Sequence, residues 1–288
     1  MEQDQKILLT SANGRTGRRV LSALSRHGAK VRVFIREKSQ FEALKALGAV
    51  DYVEGDLTDP ATVRKAVEGV AKVFHIGPPM HPNEVEISQS LIDAAKTENI
   101  DHFIYYSVMH PHRREVRHHK LKLACEEYLI ESDLPYTILQ PSRYMQHLVT
   151  IWDKVLSNGV HAMAFSIDKK FSIVDLEDLS EASAIVATQE GHKFAIYELA
   201  GPQALSQSDM AAIISDVTGK SIVAKAVHLD DMERKARDKG FGDDKINQMR
   251  IMNGHYDAHG FVGNSNVLKM ILKRSPTQFV DFVKRLTE

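Results

Sequence analysis

The sequence predicts an α/β fold built on a doubly wound parallel sheet, with a smaller α/β lobe contributed by the C-terminal part. Three observations carry this. Apolar runs of strand length alternate with segments of helical period through the first half of the chain. Those runs are apolar almost throughout rather than alternating, as burial on both faces of a parallel sheet requires. A turn of small residues joins the first run directly to the first helix.

In order, the strands are expected at "KILLT" (6–10), "VRVFI" (31–35), "VDYVEGD" (50–56), "AKVFHIG" (71–77), "HFIYYSV" (102–108) and "YTILQP" (136–141). Between them fall a helix from Gly17 and helices near 39–47, from Pro60, over 84–97 and over 118–131. Asp59 suits the cap of the helix whose first residue is Pro60, where a missing N–H costs nothing. Beyond Pro141 the spacing predicts a helix around 143–157, a loop through "SNGVHAMAFSIDKK", a helix over 178–189, and a strand "AIYELAG" (195–201) returning to the sheet. Helices follow near 206–217, 229–239, 243–253 and 276–286. Residues 1–150 therefore form the expected cofactor domain and 151–288 mainly the smaller substrate lobe, set over the carboxyl ends of the strands.

With 288 residues, 43% of them hydrophobic, the chain can bury a substantial core. Its 37 basic and 38 acidic residues nearly cancel, which argues against nucleic acid or an acidic membrane and for a small-molecule partner. Cys125 alone permits no internal disulfide, and "MEQDQKILL" is too acidic for a secretory signal, so a reducing cytoplasm is expected. No apolar run approaches the ~20 residues of a membrane span. A homodimer is compatible with this composition.

"TSANGRTGRRVL" (10–21) is a GxxGxxG loop with Ser11 at the first glycine. Following a strand and opening a helix, it would aim backbone N–H groups and the positive helix end at a pyrophosphate. Thr10, Ser11, Asn13, Gly14, Arg15, Thr16 and Gly17 are its expected contacts, and Ser11 fits the tight turn if its φ is negative. Arg36, at the end of "VFIRE", stands where NAD-binding domains usually carry an acid, and with Arg15 and Lys38 it suits a 2′-phosphate. NADP(H) is the expected cofactor. Glu37 leaves a ribose contact with NAD(H) open. Asp56 and Leu57 after the third strand, Gly77, Pro78 and Pro79 after the fourth, and Pro141, Ser142 and Tyr144 after the sixth complete the expected cofactor-binding set.

These motifs, together with "VEGDLTDPATV", "KLACEEYLIESDLPYTILQPSRYMQ", "FSIVDLEDLSEASAIV" and "YELAGPQALSQSDMAAIISDVTGK", make the chain resemble the NmrA-like atypical short-chain dehydrogenase/reductases, a Rossmann-fold family. The likeness spans almost the whole sequence. It implies an NADPH-dependent reductase of aromatic, quinone-like or conjugated small molecules, since the family includes isoflavone-reductase-like enzymes, triphenylmethane reductases and NADPH:quinone oxidoreductases. It also includes catalytically silent redox sensors, and a non-catalytic NADP(H) sensor is the alternative. Ser11 departs from the family's glycine.

Main-line relatives of that family place Tyr-x-x-x-Lys on the helix after the fifth strand. The matching frame is His118-x-x-x-Lys122, so the tyrosine is missing. The resemblance implies that Lys122 holds the nicotinamide ribose and that Ser107 keeps its place at the strand end. His118 can donate a proton near neutral pH or simply line the cleft. Without the tyrosine, acceptors that need no concerted proton are favoured, and a sugar-nucleotide epimerase or dehydratase is disfavoured. Met80, Met109, Tyr144, Met145, His147, Trp152, Met163 and Phe165 are the expected aromatic and thioether lining of the substrate pocket. "MHPHRREVRHHK" (109–120) packs four histidines and four Lys/Arg into twelve residues, but lacks a known zinc spacing, and no metal is expected.

Overall fold

A computed structural model describes residues 6–288; the acidic start, residues 1–5, lies outside the described residues. The chain divides into two compact units, one of Met1–His112, His119–Gln140 and Leu179–Tyr197, the other of Arg113–His118, Pro141–Asp178 and Glu198–Glu288.

The first unit runs β1 (Ile7–Leu9), α1 (Arg15–Arg26), β2 (Val31–Ile35), α2 (Phe41–Lys45), β3 (Ala49–Glu54), α3 (Pro60–Val67), β4 (Lys72–Ile76), α4 (Glu84–Thr97), β5 (His102–Tyr106), α5 (Arg117–Ile130) and β6 (Tyr136–Pro141). The sequence then continues through β7 (Arg143–Tyr144), α6 (Trp152–Asn158), β8 (Val160–Met163), β9 (Phe171–Val174), α7 (Leu176–Thr188) and β10 (Ala195–Leu199). The sheet order is β10-β6-β5-β4-β1-β2-β3, with β1 to β6 paired in parallel, so β10 does return to its edge. Strand order reverses at β1, between β2 and β4, and ligands of open α/β sheets sit outside such a reversal. β1 and β5 are buried along their whole length, as their continuous apolarity requires. Asp59 caps α3 by accepting from the Ala61 N–H at 3.0 Å, with Pro60 in the first turn.

In the second unit β9 lies between β7 and β11 (Gln203–Leu205), and β8 pairs with β12 (Val223–Ala226). α8 (Gln207–Thr218) opens on a reciprocal cap between Ser206 and Asp209. α9 (Leu229–Asp238), α10 (Asp243–His259), α11 (Asn266–Leu272) and α12 (Phe279–Thr287) complete it.

The single helix expected around 143–157 is corrected. Arg143 and Tyr144 pair with Ile173 and Val174, two 3₁₀ turns follow, and only Trp152–Asn158 is α-helical. The β-branched run Val149-Thr150-Ile151 resists a helix, and Gly159, at φ 67°, ends the one that forms. The loop expected over 157–170 contains β8, whose partner β12 lies 60 residues further on and left no local signal.

Candidate functional site

After β1 the chain turns at Ser11, whose φ is 51°. This corrects the expected negative value: serine occupies the left-handed region that glycine enters without strain. Its Oγ donates to the Ile76 carbonyl at 2.8 Å and its own carbonyl accepts from the Gly14 N–H at 3.0 Å. A Cβ on Gly17 would lie 2.2 Å from the Ser11 oxygen and 2.8 Å from Ala12 Cα, so only glycine lets α1 pack on this turn. Gly14 caps the twelve-residue α1 with no side-chain hydrogen bond, and no acid stands in its first turn. Arg15 and Asn13 are exposed and Thr16 is half-buried, with Asn13 Oδ1 accepting from Arg18 Nε at 3.1 Å. An open, positively polarised helix start edged by arginines fits a pyrophosphate.

Arg36 and Lys38 are exposed just beyond β2. Asp56, beyond β3, accepts from the Thr58 N–H and Oγ, each at 2.8 Å. Those bonds, with the charges of Arg36 and His81, hold its carboxyl below the usual range. Leu57 packs against the core.

Thr10 is fully buried and ties β1 to β4. Ser88 Oγ donates to the Glu84 carbonyl at 2.9 Å and lies 3.1 Å from His75 Nε2. On the other side of the ring His75 Nδ1 lies 2.9 Å from Thr10 Oγ1, which also reaches the Ile76 carbonyl at 3.1 Å. Burial, with the charge of Lys122, pushes His75 down to about 3, which keeps the ring neutral.

Over this layer lies Gly77, where an added Cβ would sit 3.3 Å from Lys122 Nζ and 3.5 Å from Glu84 Oε1. Pro78 is half-buried and Pro79 exposed, and Met80, half-buried, turns at φ 57°. Lys122 is buried, its Nζ 2.8 Å from Glu84 Oε1, donating to the Tyr106 carbonyl at 3.2 Å and lying 5.1 Å from the Tyr105 ring centre. Glu84 had no signal in the sequence, because an acid in the first turn of α4 reads as an ordinary complement to the helix dipole.

Ser107, the first residue past β5, donates from Oγ to Glu126 Oε1. Gln140 Nε2 donates to both oxygens of the same carboxyl, at 3.1 and 2.9 Å. All three residues are buried. Glu126 and Gln140 were also missed, although Lys122-x-x-x-Glu126 puts the two charges one turn apart on α5.

In the second unit Pro141 and Ser142 are buried, and the Ser142 hydroxyl makes no hydrogen bond among the described residues. Tyr144 and His147 stack with ring centres 5.8 Å apart and planes at 9°. With Met145, Met163, His161 and Met210 they wall a narrow recess of about 20 Å³. Four expected pocket residues do not line it, Met80 beside Gly77 being one. Phe165 is buried against Phe171 at 4.3 Å, under the guanidinium of Arg143 at 5.0 Å; burial lowers that guanidinium to about 10. Trp152 begins α6 outside the recess. Met109, in the first unit, is fully buried and is core packing. A larger recess of about 490 Å³ beside α9 and α10, lined by Glu115, Arg250 and His255, holds none of the expected site residues.

His118 is half-buried in the first turn of α5, and His119 is buried, hydrogen-bonded through Nδ1 to the His110 carbonyl at 2.8 Å. Among the described residues no three His, Cys, Asp or Glu side chains gather as a metal site, and no helix is long and apolar enough to cross a membrane.

Strand order and glycine turn define an α/β protein of the Rossmann type. The chain belongs to the NmrA-like family, whose sequence model matches residues 3–280. It is 25% identical over 279 residues to an NAD(P)H azoreductase of Xenophilus azovorans, covering 96% of each chain. The NADPH-dependent quinone oxidoreductase of Escherichia coli, solved with NADPH, superposes with a TM-score of 0.86 at 22% identity, over 98% of this chain and 100% of that one. The Citrobacter triphenylmethane reductase complexed with NADP(H) gives 0.86 at 22% identity, over 97% and 99%.

Proposed function

We propose that the protein is an NADPH-dependent reductase that passes a hydride to an aromatic, quinone-like or conjugated small molecule. The observation that carries the reading is the β1–α1 turn, which opens an uncapped helix start at the reversal of strand order. The reductase and oxidoreductase names of its full-length relatives support the chemistry.

The bound cofactor would supply the hydride. Gly14 and the first turn of α1 would hold its pyrophosphate, Arg36, with Arg15 and Lys38, its 2′-phosphate, and Gly77 would let the chain pass close to its ribose. Lys122 would fix the nicotinamide end from beneath Gly77. Tyr144 and His147 offer a parallel aromatic pair against which a flat acceptor can stack. With no tyrosine in the Tyr-x-x-x-Lys frame, positioning and exclusion of water supply most of the acceleration. Buried Cys125 and the near-neutral charge support a reducing, cytoplasmic setting.

One observation favours a second reading. Lys122 is already neutralised by Glu84 below Gly77, as befits a protein that senses NADP(H) without turning it over. Calorimetric titration with NADPH, NADP and NADH, followed by NADPH oxidation against quinones, azo dyes, triarylmethane dyes and enones, separates the two. The reductase reading expects the tightest binding for NADPH and acceptor-dependent oxidation; binding without oxidation by any acceptor selects the sensor.

A further inference from the structure

We propose that Glu126 stores a proton behind Ser107 and supplies it, through the Ser107 hydroxyl, to the oxygen of a reduced quinone-like acceptor. The proposal rests on the reductase reading and names the proton source that the missing tyrosine would otherwise provide.

The geometry fixes where the proton sits. Gln140 Nε2 can only donate, and it faces both carboxyl oxygens of Glu126. Ser107 Oγ, which faces Oε1, can donate or accept. A proton taken up by Glu126 therefore lies on Oε1 and points at Ser107 Oγ. That reverses the hydrogen bond, because the hydroxyl has one proton and must then aim it away from Glu126. Ile76 pairs with Tyr106, so Gly77 and Ser107 leave the sheet side by side at its carboxyl end. The released Ser107 proton is thus presented next to Gly77 and Lys122.

The groups facing the carboxyl set its titration. Lys122 and Glu127 come from its own helix, Tyr105 from β5, Ser107 from the residue just past it, and Gln140 from β6. Lys122 is in turn paired with Glu84 of α4. Burial outweighs the Ser107 and Gln140 hydrogen bonds and raises Glu126 to about 7, a value suited to taking and giving protons at neutral pH.

The step balances. A quinone that accepts a hydride gains two electrons and is left with one anionic oxygen. The Ser107 O–H bond breaks to protonate that oxygen, the Glu126 Oε1–H bond breaks to restore the hydroxyl, and the carboxylate recovers its proton from water. A triarylmethane cation takes hydride at carbon and needs no proton, which makes it an internal control.

The test compares wild type, Glu126→Gln and Ser107→Ala on a quinone and a triarylmethane dye across pH, with infrared spectra of the cofactor-free proteins. The ratio of quinone to dye turnover should fall about a hundredfold in both variants, the low end of general-acid contributions. The loss of quinone activity above neutral pH should flatten. A protonated-carboxyl carbonyl band that titrates away near neutral pH, above the range of the other carboxyls, should be present in wild type and in Ser107→Ala and missing in Glu126→Gln. Equal losses on both acceptors, an unchanged pH profile in Glu126→Gln, or no such band in wild type overturns the proposal, and the wild-type spectrum decides even where a variant fails to fold. A wild type that binds NADPH but reduces neither acceptor overturns the reductase reading and the delivery step together, while the infrared titration still reports separately on the proton store.

Discussion

Lys122 Nζ and Glu84 Oε1 lie 2.8 Å apart, and the two side chains are 5% and 0% exposed. Removing one partner leaves the other charge buried without its counter-ion. Glu84→Gln should therefore destabilise the protein by about 3–5 kcal/mol in chemical denaturation, whereas Glu84→Gln combined with Lys122→Met should recover most of that loss. A double variant no better than the single would contradict a charge-pair account. Lys122→Ala should lower turnover and raise the cofactor's KM, and the same substitution beside Glu84→Gln separates lost cofactor contact from an orphaned acid.

Much of the first unit was legible in the sequence because its strands are buried on both faces and announce themselves by apolarity alone. The helix over 84–97 has its expected bounds. Glu84 and Gln140 were illegible for the opposite reason. Their partners, Lys122 and Glu126, are fixed by which strands and helices become neighbours, and spacing along the chain carries no record of that. In the second unit, β8 and β12 were lost because their pairing is distant and their residues are only partly buried. Ser11 was legible as a departure, but its φ was not: the turn is tied at once to Ile76 and Gly14, and those bonds over-determine the backbone.

Ser11→Gly relieves that left-handed strain. It should raise stability by up to ~1 kcal/mol, strain relief being partly offset by the entropy that glycine adds to the unfolded chain, and should tighten NADPH modestly. Thermal unfolding with a fluorescence titration measures both. A loss of stability would mean that the Ser11 Oγ bond to Ile76 outweighs the strain.

Arg36→Ala should weaken NADPH by about 1.5–3 kcal/mol, the range of a charge-assisted contact, and leave NADH nearly unchanged. Calorimetry with the two cofactors decides. Equal losses for both would assign Arg36 to general structure, in keeping with its electrostatic contact with Asp56.

Stability should peak in mildly acidic solution. His75 and His102 are pushed to about 3 by burial; with folded values below the unfolded one, the stability of keeping them neutral is complete above about 6.5 and is lost as pH falls. Glu126 is raised from 4.5 to about 7, so its contribution is present below about 4.5 and is lost as pH rises through 7. Denaturation midpoints against pH should show both limbs. Glu126→Gln should remove the alkaline one, a gain of up to ~3 kcal/mol at pH 8.

A hydride that passes from the nicotinamide to carbon of the acceptor carries a non-exchangeable label with it. NADPH deuterated at the nicotinamide C4, on either face in separate samples, is incubated with the protein and a triarylmethane dye, and the reduced dye is analysed by mass spectrometry. A reductase should place deuterium at the central carbon from one of the two labelled faces, well above the protein-free rate. Dye reduced no faster than in buffer, together with a cofactor-dependent change in oligomer size, would contradict it in favour of a sensor.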